Sequence, residues 1–103
     1  MANKEYIERL QLAIFHLHKC DAKHVETAPV HETFQGETVW QGNVEVFDVT
    51  GHERAKRAYA WSFKDDSEQE HITAVLELPP VKTPLDAVRV SILADRKRAG
   101  KRS

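Results

Sequence analysis

Cys20 is the only thiol in the chain. No intramolecular disulfide can form, so stability has to come from packing, and a reducing, cytoplasmic setting is expected. Glycine and proline are scarce, four of each in 103 residues, and the glycines do not group into a phosphate-cradling loop. There is no strained serine turn of the hydrolase type and no second cysteine to pair with the first. No apolar run approaches the roughly 20 residues needed to cross a bilayer, so no membrane partner is expected. The N-terminal MANKEYIERL carries charge throughout and lacks the apolar core of a secretory signal. Net charge is also lacking: the formal value is −1, which gives no bulk attraction to nucleic acid or to a membrane surface.

What is present suits an ordinary globular domain. Apolar residues make up 41% and charged residues 30% of the chain. A chain this long buries roughly two thirds of its unfolded surface and folds as one domain, residues 1–103, without a staple. The charge is unevenly placed. Five of the fifteen Lys and Arg residues fall between Arg96 and Ser103, which reads as a flexible basic tail from about residue 97.

Periodicity defines six elements. Tyr6, Ile7, Leu10, Ala13, Ile14 and Leu17 recur at three- and four-residue spacing, the signature of an amphipathic helix over residues 4–19. Leu12 and Phe15 fall off that face; they either widen the apolar stripe of a well-buried helix or leave a second patch for another contact, such as a dimer. Residues 23–34 carry β-branched residues in loose alternation. Pro29 within them cannot donate to a ladder, which places that strand at a sheet edge. Gln35-Gly36 turns the chain into a second strand over residues 38–49, with Gly42 expected to mark a bulge or a close backbone approach. There Val44 and Val46 face one way, Phe47 and Val49 the other, as an inner strand requires.

Gly51 serves the next connection. A third strand, residues 56–63, alternates cleanly between Tyr59, Trp61 and Phe63 on one face and Ala58, Ala60 and Ser62 on the other. A fourth strand over residues 71–78 ends at Pro79-Pro80. Thr83-Pro84-Leu85-Asp86 then opens a helix running to about residue 98: Thr83 caps it, Pro84 takes the first helical position and Asp86 the third. The fold expected is α+β with two layers, a helix, a four-stranded antiparallel meander and a second helix (αββββα).

Three groups of residues could carry chemistry. His16, His18, Cys20 and His24 are donors suited to zinc, but on a continuous helix they do not converge; His16, Cys20 and His24 stand as weak metal candidates, and no cofactor is expected. His31 and His52, each followed by a glutamate, offer the minimum for acid–base work, but neighbours on a strand face opposite ways, so enzymatic activity is not favoured. Arg54, Lys56 and Arg57 near the third strand, with Arg96, Lys97 and Arg98 at the chain's end, could join Trp40, Tyr59 and Trp61 to bind single-stranded nucleic acid.

The reading preferred over these is a small binding or interaction module. It would self-associate as a homodimer, through either the aromatic sheet face or the first helix, with Trp40, Tyr59, Trp61, His31 and His52 as surface candidates. Nucleic-acid binding is the alternative.

Overall fold

The computed structural model describes the backbone of residues 4–100 and the side chains of residues 4–94. The order is α1 (Lys4–His18), β1 (Asp21–Phe34), β2 (Glu37–Thr50), β3 (Arg57–Lys64), β4 (Glu70–Leu76) and α2 (Pro84–Gly100). The strands form one antiparallel sheet in the order β1-β2-β3-β4. This is the α+β meander expected from the sequence, with β1 at an edge as Pro29 demands. The backbone of α2 is helical through Gly100. Residues 101–103 lie outside the described residues.

The β1–β2 hairpin is tight because Gln35 and Gly36 both adopt positive φ, 53° and 82°, the combination a two-residue hairpin turn requires. Pairing along it shifts register between His24 and Glu26 and between Glu32 and Thr33. Neither irregularity is at Gly42, which stays in register opposite Val30. Gly42 is there for a different approach: a Cβ at this position would come within 3.2 Å of the Trp40 indole. Trp40 and Gly42 share a face two residues apart, and the ring lies along the strand over the vacant position.

The two faces of β3 organise the core. On one, Ala58 and Ala60 join Phe47 and Val49 under Leu10 and Ile14 of α1. On the other, Tyr59 and Trp61 join Val44 and Val46 under Ala87 and Val88 of α2. The helices therefore cover opposite faces rather than sharing one. Size explains the assignment: the face lined with alanine receives the bulky residues of α1, and the aromatic face receives the small residues of α2. Burying Trp61, Tyr59 and Phe47 stabilises the fold by on the order of 2–3 kcal/mol each.

α2 begins as its sequence suggests, with one variation. Thr83 Oγ1 accepts from the Asp86 amide at 3.1 Å, but the Asp86 carboxylate takes the Lys82 amide at 3.0 Å instead of the cap residue's own. The β4–α2 connection, residues 77–83, contains a cis Pro79–Pro80 peptide. No helix among the described residues is long and apolar enough to cross a membrane.

Candidate interaction surface

The sealed aromatic face changes the functional argument. Tyr59 and Trp61 are each 2% exposed. They form no platform, because α2 occupies the position a ligand or second copy would need. Trp40 is half-buried and meets Trp61 edge-on, with ring centroids 5.7 Å apart. The Tyr59 hydroxyl donates to the Glu77 carboxylate and to the Lys82 carbonyl. Burial first, and then Glu77, push its pKa well above the ordinary tyrosine range.

The histidines are dispersed. His31 is exposed, with Nε2 2.7 Å from Thr38 Oγ1. Its neighbour Glu32 turns the other way and pairs with Arg89 of α2, whose guanidinium holds the carboxyl below its usual range. His52 Nδ1 accepts the amides of Arg54 and Ala55 at 3.0 and 2.9 Å, so this ring shapes the β2–β3 connection. His16 is exposed, His18 Nε2 lies 2.9 Å from the Ala74 carbonyl, and His24 Nε2 lies 2.8 Å from Glu45. Cys20 is buried, and that burial, with Asp21 beside it, raises its pKa. Among the described residues no three His, Cys, Asp or Glu side chains are placed to hold a metal ion.

Of the cationic candidates, Arg54 and Lys56 are exposed, and Arg57 lies 3.4 Å from Asp48. The side chains of Arg96, Lys97 and Arg98 lie outside the described residues. Among the described residues, Arg54, Lys56 and Arg57 thus form no common surface with the buried Tyr59 and Trp61.

Sequence reasoning missed Glu45, the buried charged residue of the sheet at 2% exposure. It faces α1 opposite Ala60, and both His24 Nε2 and the Thr27 hydroxyl reach its Oε1. The available signal was an acidic residue inside the run Val44–Val49 of an inner strand. With His24 and Thr27 both on its Oε1, the cluster reads as a satisfied internal polar group.

Neither families, curated proteins nor solved structures give a match to the chain.

The clearest unpartnered feature is the outward side of α1. Leu12 is 59% and Phe15 46% exposed, roughly opposite the buried Leu10 and Ile14. Glu5, Glu8, Leu12 and Phe15 form a stripe of exposed residues at three- and four-residue spacing on α1, and the exposed Lys19, one residue past the helix end with a left-handed φ of 59°, continues it, its amide bonded to the Phe15 carbonyl at 2.8 Å. The stripe is acidic at its start, apolar in the middle and basic at its end. Beside it a groove of about 430 Å³ runs between α1 and the start of β1, lined by Glu8, Gln11, Leu12, Phe15, Asp21 and Ala22. Glu8 and Lys19 have no ion-pair partner among the described residues. A second, smaller apolar groove of about 280 Å³ lies between α2 and the hairpin tip, where Phe34, Val39, Ile92 and Leu93 meet the Glu32–Arg89 pair.

Proposed function

We propose that the protein is a cytoplasmic homotypic interaction module, whose working surface is the outward side of α1. The observation that carries this reading is the charge-graded stripe with Leu12 and Phe15 at its centre. The helix dipole alone favours glutamates early in a helix and a lysine late. It gives no reason for a leucine and a phenylalanine, both about half exposed, between them. A surface acidic at one end and basic at the other is complementary to a copy of itself turned end for end. The smaller groove is already crossed by its own ion pair, which supports α1 as the interface.

Sedimentation velocity across a concentration series tests the reading. The expected result is a monomer–dimer equilibrium that Leu12→Glu abolishes and Leu93→Glu, on the α2 groove, leaves intact. A chain that stays monomeric at high micromolar concentration, or a dimer lost with Leu93→Glu and kept with Leu12→Glu, overturns it.

A further inference from the structure

Resting on that reading, we infer that the two copies pair through antiparallel α1 helices in one register, with Leu12 against Phe15 of the second copy and Glu8 against its Lys19. The register follows from the spacing. Glu8 lies four residues before Leu12, and Lys19 lies four residues after Phe15. A two-fold axis passing midway between Leu12 and Phe15 therefore brings both apolar contacts and both ion pairs into place together. Glu8, Leu12 and Phe15 line one side of α1 and meet a neighbouring helix side by side, and Lys19, held just past the helix end by its amide's bond to the Phe15 carbonyl, reaches the second copy's Glu8 with its long side chain.

The parallel arrangement is disfavoured by the same residues. It would set Glu5 and Glu8 against their own copies and Lys19 against Lys19. It would also align the helix dipoles, whereas the antiparallel pair opposes them. The groove between α1 and β1 supplies the steric half of the argument. Leu12 is part of its lining, so a phenylalanine placed against Leu12 enters it between the helix and Ala22. Phe15 of each copy thus fills the groove of the other, and the contact is closed by symmetry. α1 spans only about 22 Å at the helical rise of 1.5 Å per residue. Such a contact is smaller than a standard interface of roughly 800 Å² per partner, so the dimer is a dissociating one.

Charge reversal tests the register separately from dimerisation. Glu8→Lys and Lys19→Glu should each weaken self-association roughly tenfold, and the double variant should return it to near the original strength. Disulfide trapping in a Cys20→Ala background gives a second readout. Glu8→Cys mixed with Lys19→Cys should yield the mixed crosslinked dimer, with little crosslinking of either variant to itself. A dimer with no rescue in the double variant, or one in which Glu8→Cys crosslinks to itself, overturns the register while leaving self-association standing. Absence of any dimer overturns both.

Discussion

Tyr59 shows how a single residue can be committed to the core and keep a polar tip. Its ring lies under α2 and its hydroxyl donates to Glu77 and to the Lys82 carbonyl, joining β3 to the segment that leads into α2. Removing the hydroxyl leaves a half-buried carboxylate short of a donor. Tyr59→Phe should therefore cost about 1–2 kcal/mol in urea denaturation. Because the folded-state pKa is raised, the neutral hydroxyl contributes fully below the unfolded value of about 10, and its contribution is lost as pH climbs through the folded value. The expected measurement is tyrosinate absorbance during alkaline unfolding. Tyr59→Phe should remove the part that rises together with loss of structure. Ionisation of Tyr59 well before unfolding would contradict the buried hydrogen bond.

Among the elements, β3 carries the most information. Its alternation of alanines and aromatics was legible because a strand's period of two needs no partner to be read. Its two faces then accept helices of opposite character. Ala60→Leu should overpack the α1 side and destabilise by about 1–3 kcal/mol, read from a lowered denaturation midpoint. A neutral result would mean that Leu10 and Ile14 do not pack down onto the alanines.

Much of the architecture could be read this way: both helices, all four strands, the Gln35-Gly36 turn and the edge position of β1. Leu12 and Phe15 were also visible, because helical phase alone separates them from Leu10 and Ile14. Which helix covers which face was not visible. Alternation says that two faces exist, but the assignment depends on where the connections at residues 19–20 and 77–83 lead the chain. Glu45 was illegible for a related reason. Its partners His24 and Thr27 come from another strand, 21 and 18 residues away, and only the register brings them together. Gly42 is neither the bulge nor the close backbone approach that an isolated strand glycine suggests: what lies over it is an indole from its own strand.

For the molecule as a whole, three carboxylates share one consequence. Arg89 lowers the pKa of Glu32, which ties β1 to α2. The Lys82 amide lowers that of Asp86 at the start of α2. Ser67 and His71 lower that of Asp65, which organises the β3–β4 turn by accepting from Ser67 and Gln69. A depressed pKa means that the folded state favours the ionised form. The stability these groups supply is present above their unfolded values of about 4 and is lost as pH falls through the folded ones. Two of the three hold α2, so acid should loosen that helix and expose Trp61. A red shift of tryptophan emission below about pH 4 is the expected signal, and Glu32→Gln should make its pH dependence shallower. An emission maximum unchanged down to strong acid would argue against this role for the carboxylates.

Pro29 has one further effect at the margin of the sheet. A long bare strand is a ready template for the strands of other molecules, and β1 is 14 residues long. Pro29 withholds one amide from such a template, the irregular pairing at His24 and Glu26 bends it, and Lys23 and Glu26 place exposed charge along it. At the opposite margin β4 is only seven residues long. Both margins are thereby poor starting points for fibre growth, and the fold can keep an open sheet without inviting aggregation.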